Sequence, residues 1–167
     1  INTKALSPFV FIRMALESCS TIKEVEDVLQ NTIRDGGMNL FIAEGRTDRC
    51  AVIECSCYDH QRREDHPSYI VGANHYQKIH PPKDVFFEDE NSKARQKTAE
   101  EYLEQNQYHM KKEHVFSLLA HPKIEQNKNL YGTVYANVTC PSQNKIWYAC
   151  DGFPAASQSS WKEVDWC

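Results

Sequence analysis

Glycine and proline are scarce in this chain, 6 and 7 among 167 residues, which excludes collagen-like and low-complexity sequences. No apolar stretch approaches the roughly 20 residues that a membrane-spanning helix needs, and the mean hydropathy of -0.64 agrees. Positive charge is not in excess either: 19 Lys and Arg stand against 23 Asp and Glu, a net of -4. That balance offers no basic field to nucleic acid or anionic lipid. What is present is a globular composition, 41% hydrophobic and 11% aromatic. It suits one domain, residues 1–167, long enough to bury a core. The first residue is Ile1 rather than Met, and no charged-then-apolar leader follows it. A processed chain or a piece of a longer one is therefore expected.

The seven cysteines, Cys19, Cys50, Cys55, Cys57, Cys140, Cys150 and Cys167, cannot all pair within the chain. Odd and unpatterned, they read as free, mostly buried thiols of a reducing compartment, which favours a cytoplasmic location while leaving localisation open. A single Asn-x-Thr sequon, Asn137-Val138-Thr139, falls inside an expected strand and carries little weight.

The order of elements follows from periodicity and punctuation. Ser7-Pro8 is a helix start, and the apolar density from Phe9 to Leu16 predicts a largely buried helix. Thr21-Ile22-Lys23-Glu24 reads as a capping box opening a second helix, with Ile22, Val25 and Leu29 on one face and Asp35-Gly36-Gly37 as the stop. The period then shortens to two. Met38–Ala43 and Cys50–Cys55 form a hairpin around Gly45-Arg46-Thr47-Asp48, a polar strand covers Tyr58–Arg63, and Tyr69–Ala73 is a fourth strand. A loop through Pro81-Pro82 and the acidic Glu88-Asp89-Glu90 leads to a helix capped by Asn91 or Ser92, then to one holding Val115, Leu118 and Leu119. Tyr131–Thr139 and Lys145–Cys150 close the chain as strands around Pro141-Ser142-Gln143-Asn144. Antiparallel hairpins between helix pairs define an α+β fold, sheet packed on helices.

Local chemistry motifs are few. There is no Gly-rich phosphate loop, no G-x-S-x-G and no H-E-x-x-H. Cys55-x-Cys57-x-x-His60 holds three soft ligands close together, but a single-residue spacer puts both thiols on one strand face, a poor start for tetrahedral zinc. Core thiols and surface histidines are the better reading, with no metal and no cofactor implied. With seven cysteines and seven histidines, a Cys/His pair is uninformative. Trp147 and Tyr135 read as core aromatics.

Three segments say more in succession: Gly36-Gly37-Met38-Asn39-Leu40-Phe41-Ile42-Ala43, then Ala51-Val52-Ile53-Glu54, then Val71-Gly72-Ala73-Asn74-His75-Tyr76. The series resembles the N-terminal nucleophile (Ntn) hydrolases of the choloylglycine hydrolase type, above all the acyl-coenzyme A:6-aminopenicillanic acid acyltransferase branch. There a Gly-rich turn enters an N-x-x-x-A strand, a strand ending V-I-E follows, and the next ends in Asn-His. Upstream, Ala15–Val25 is similar to the family's helix pair. Downstream, Asn91-Ser92-Lys93-Ala94-Arg95 resembles its S-x-x-R helix start, and Thr133–Asp151 with Gly152-Phe153-Pro154 its closing hairpin.

The resemblance implies a four-layer αββα sandwich of antiparallel sheets, of which this chain is the part after the nucleophile. It implies an N-terminal cysteine whose thiol attacks a linear amide while its own α-amine serves as base. That cysteine, and the Arg and Asp that follow it in the family, are absent from these residues, so an upstream segment becomes an obligatory partner. A small-molecule amide is the implied substrate, and an uncovered sheet would favour self-association, including a homo-oligomer. Two site residues carry over. Asn74 matches the oxyanion-hole amide; outside the family it reads as a strand-end Asn capping a turn. Arg95 matches the late arginine near the nucleophile; outside the family it is a solvated helix residue among glutamates. His75 reads as structural, since the amine replaces an imidazole. The rival reading is a non-catalytic binding domain, a pseudoenzyme on the same scaffold.

Overall fold

The computed structural model describes residues 5–47, 49–63, 68–80, 90–106, 109–128 and 131–165. They fall into two compact units, Ile1–Asp89 and Glu90–Cys167. The expected loop through Pro81-Pro82, with Glu88 and Asp89 of the acidic edge, lies outside the described residues.

The first unit begins with helices α1 (Pro8–Ser18) and α2 (Ile22–Gln30). Strands β1 (Met38–Glu44), β2 (Arg49–Cys55) and β3 (His60–Arg62) then form an antiparallel sheet in the order β1-β2-β3. Alternation sorts the two faces of the hairpin. Met38, Leu40, Ile42, Ala51, Ile53 and Cys55 turn toward the helices and join Phe11, Ala15, Ile22, Val25 and Leu29 in one core. Asn39, Phe41, Val52 and Glu54 are left for the other face.

The capping box is as the sequence predicts. The Glu24 backbone N–H donates to Thr21 Oγ1 (3.2 Å), and Glu24 Oε2 accepts from the N–H groups of Ser20 (2.6 Å) and Thr21 (3.1 Å). Glu44, buried at the end of β1, takes the next amide of the same helix, Ile22 N–H (2.6 Å), and the Thr47 hydroxyl (2.5 Å). The helix ends at Gln30, well before Asp35. Its last carbonyls are taken by side chains, Asn31 Nδ2 on Asp27 O (2.8 Å) and Thr32 Oγ1 on Val28 O (2.7 Å), so glycine is not what stops it. The expectation for α1 needs correction too. Phe11 and Ala15 are buried, but Phe9 and Leu16 are 83% and 78% exposed: the helix is two-faced.

Arg34 is 1% exposed and makes four bonds to backbone carbonyls. Nε donates to Ser56 O (2.9 Å), Nη1 to Leu29 O (2.8 Å) and Thr32 O (2.6 Å), and Nη2 to Asp59 O (3.1 Å). The fork ties the end of α2 to the β2–β3 turn. The negative end of the helix dipole favours the cation there.

The strand expected at Tyr69–Ala73 does not form. Two carbonyls at its end, those of Ala73 and His75, are engaged by the Asn39 side chain rather than by a ladder.

The second unit contains α3 (Glu90–Asn106), α4 (Lys112–Leu119), β4 (Asn127–Lys128), β5 (Tyr131–Gly132), β6 (Ala136–Cys140), β7 (Lys145–Ala149), α5 (Ala155–Gln158) and β8 (Lys162–Asp165). β4 pairs with β5, and β6-β7-β8 is a second antiparallel sheet. Asn144, at φ 53°, ends the tight turn between β6 and β7, a conformation asparagine accepts more readily than most residues. Asn91 and Ser92 lie inside α3 rather than capping it. The single strand expected over Tyr131–Thr139 is split between β5 and β6, because Thr133 turns aside: its N–H donates to Gln126 O and its carbonyl accepts from Ala155 N–H, both at 2.8 Å. Tyr135 is consequently 65% exposed, not core. Trp147 is buried as expected, edge-on to Phe116 at 6.3 Å, and Phe116 stacks on Trp161 at 4.1 Å. β8 and α5 were not anticipated. The fold class is α+β with antiparallel sheets.

Candidate functional site

Asn74 is exposed on a segment that crosses the face of the first sheet opposite α1 and α2. Three side chains from β1, β2 and the segment itself fasten it. Asn39 Nδ2 donates to Ala73 O (2.6 Å) and His75 O (3.0 Å), the carbonyls immediately before and after Asn74. Glu54, 0% exposed, accepts from three consecutive amides, Gln77 (2.7 Å), Lys78 (2.8 Å) and Ile79 (2.9 Å). The Tyr76 hydroxyl donates to Cys55 O (2.5 Å).

Each anchor has a local cause. Asn39 and Glu54 are register partners in the β1–β2 ladder, so both point to the same face, opposite the core. A buried carboxylate needs donors, and the three amides supply them. Tyr76 reaches Cys55 O across Gly37, where an added Cβ would lie 2.0 Å from the hydroxyl and 3.1 Å from Cys55 O. Glycine is therefore required at Gly37 for a close approach, not for a turn.

Cys55, one of the three soft ligands weighed in the sequence, is buried among the core residues. Burial pushes its thiol up to about 11, against the pull of the Arg34 charge, which suits packing and not nucleophilic attack. The thiols as a group are less buried than expected: Cys50 and Cys150 are exposed, and Cys19, Cys57 and Cys140 are partly so. β2 ends at Cys55, so Cys57 lies beyond the strand that was to carry both. No cluster of three or more His, Cys, Asp or Glu suited to a metal occurs among the described residues.

Arg95 belongs to the second unit, on α3, half-buried, with Nε donating to Asn91 Oδ1 (2.9 Å). Asn74 belongs to the first. His75 is half-buried, and its carbonyl is one of the two that Asn39 holds. The sequence motifs contained Asn39 and Glu54 without revealing their task. The available signal was chemical: a polar residue at matched positions inside the apolar stretches Met38–Ala43 and Cys50–Cys55.

A family model described as acyl-coenzyme A:6-aminopenicillanic acid acyl-transferase matches residues 2–154. The chain belongs to that family. At a coarse level this places it with acyltransferases of Ntn-type amide chemistry. Among curated proteins none matches it by sequence.

Proposed function

We propose that this chain is the post-nucleophile part of a cysteine-type Ntn amidohydrolase or acyltransferase acting on a linear C–N amide. The observation that carries the proposal is the mounting of Asn74: an exposed amide side chain on a backbone pinned on both sides. Oxyanion stabilisation asks for a neutral N–H donor that does not move as charge develops, and such a donor is worth roughly 3–4 kcal/mol.

In this reading an N-terminal cysteine, contributed by a segment upstream of these residues, attacks the amide carbonyl through sulfur. Its α-amine takes the thiol proton and passes it to the departing amine. Asn74 Nδ2 donates to the oxyanion, and the collapsing intermediate leaves a thioester. Water or an acceptor amine then resolves it, releasing acid or a new amide. Arg95 would favour the thiolate electrostatically. The proposed architecture is a four-layer αββα sandwich, to which the helix-backed sheet of the first unit is suited. The exposed Phe9 and Leu16 on α1 and Phe41 on β1 are compatible with a covering segment or a second copy.

The test is Asn74→Ala in the intact protein. The kcat for hydrolysis of linear N-acyl-para-nitroanilides should fall by about two to three orders of magnitude with the melting temperature unchanged. An unchanged kcat removes Asn74 from the site. Failure to trap any acyl-enzyme by mass spectrometry favours the binding-domain reading instead.

A further inference from the structure

We infer that Asn39 and Glu54 are the positioning residues of the site, a polar pair on the sheet that sets the backbone on either side of Asn74. The inference rests on the reading of Asn74 as oxyanion donor and assigns the residues that make that donor rigid.

The geometry has three parts. Asn39 and Glu54 face each other across the β1–β2 ladder, so one rung of the hairpin presents an amide and a carboxylate side by side. The amide spans Asn74, holding Ala73 O and His75 O. The carboxylate holds the amides of Gln77, Lys78 and Ile79. Donor and acceptor roles are complementary: carbonyls are taken by the only side chain of the pair with N–H groups, and N–H groups by the only anion. Exchanging the two residues would leave both carbonyls without a donor, because a carboxylate has no N–H to give. Asn39 Oδ1 is buried with no donor among the described residues, so the two bonds made by its NH2 set the orientation of that side chain.

The segment they hold has no strand pairing of its own. The amides of Gln77, Lys78 and Ile79 are taken by Glu54 and the carbonyls of Ala73 and His75 by Asn39, with the Tyr76 hydroxyl on Cys55 O as a further anchor. A displacement of about 1 Å at a reacting group costs on the order of 100-fold in rate, which fixes the scale of the expected effect.

The experiment compares Asn39→Ala, Asn39→Ser, Glu54→Gln and Asn74→Ala in the intact protein, by hydrogen exchange and by turnover of linear N-acyl-para-nitroanilides. Amide exchange at residues 77–79, whose N–H groups Glu54 accepts, should accelerate at least about tenfold in Asn39→Ala and Glu54→Gln while the amides of α2 keep their protection. kcat should fall by about 10- to 100-fold with KM within about threefold, and Asn39→Ser, which keeps one donor, should be intermediate. The Asn39→Ala/Asn74→Ala double variant should be no slower than Asn74→Ala alone, since a support cannot matter once the supported group is gone. Wild-type exchange at 77–79 in Asn39→Ala and Glu54→Gln overturns the inference. So does a full loss from each single variant that simply adds in the double. Should Asn39→Ala fail to fold, Asn39→Ser and Glu54→Gln carry the same comparison. If Asn74→Ala leaves kcat unchanged, Asn74 leaves the site, and the exchange data still decide whether the pair holds the segment.

Discussion

Tyr76 and Gly37 meet so closely that any side chain at Gly37 would push the tyrosine hydroxyl aside. A methyl group there would sit 2.0 Å from the Tyr76 hydroxyl, the same hydroxyl that donates to Cys55 O at 2.5 Å. The glycine before β1 and the tyrosine two residues after Asn74 therefore form one contact, and the hairpin and the loop across it close together.

Gly37→Ala should accordingly displace Tyr76 and destabilise the protein by about 1–3 kcal/mol, the usual range for overpacking. In a Tyr76→Phe background the same substitution should cost less, because the clashing oxygen is gone. A double-mutant cycle on urea midpoints checks it. Additive effects would mean that the two residues do not compete for the space.

Glu44 predicts a pH dependence. The Thr47 hydroxyl and Ile22 N–H, with the charges of Arg49 and Arg62, hold its carboxyl below the ordinary 4.5 against the opposing effect of burial. A carboxyl with a lower pKa folded than unfolded contributes stability above its unfolded value and loses it as pH falls through its folded value. Wild type should thus exceed Glu44→Gln in stability most clearly above 4.5, with the gap narrowing under more acid conditions. Chemical denaturation from about pH 3 to pH 7 measures it. A pH-independent gap would show that the Glu44 contribution is not ionic.

Arg34→Lys should not be conservative. An ammonium cannot span carbonyls contributed by Leu29, Thr32, Ser56 and Asp59, and each buried carbonyl left without a donor costs roughly 1–3 kcal/mol. A loss on the order of 2–4 kcal/mol is expected by urea denaturation. A variant as stable as wild type would mean that the fork geometry is dispensable.

Thiol reactivity should follow exposure and ionisation. Iodoacetamide at neutral pH should label the exposed Cys50 and Cys150 first. Cys55, buried and pushed up to about 11, should react only after denaturation. Peptide mapping of timed reactions distinguishes the two, and early labelling of Cys55 would contradict its place in the core.

Much of the first unit was legible because its signals are local. Thr21 and Glu24 cap α2, and the alternation of Met38–Ala43 and Cys50–Cys55 defines a hairpin whose register follows from which face is apolar. Apolar density misled at α1, where Phe9 and Leu16 face outward, because density does not say how wide the buried face is. Tyr69–Ala73 has a strand's composition, yet the decisive partner was an asparagine 34 residues away from Ala73, which no local window contains. β8, Lys162–Asp165, has a single apolar residue and is recognisable only from its pairing with β7. Asn74 could be singled out only through the family motif, since an exposed asparagine by itself reads as turn chemistry.

Holding a loop by side chains instead of by a ladder separates two kinds of adjustment. The β1–β2 hydrogen bonds are made by backbone and are indifferent to what Asn39 or Glu54 becomes, whereas the loop follows those residues directly. Single replacements on one rung could retune where Asn74 sits while the hairpin stays intact. With Asn74 as the proposed oxyanion donor, a scaffold wired in that way would drift among related amide substrates in small steps, without first having to rebuild its sheet.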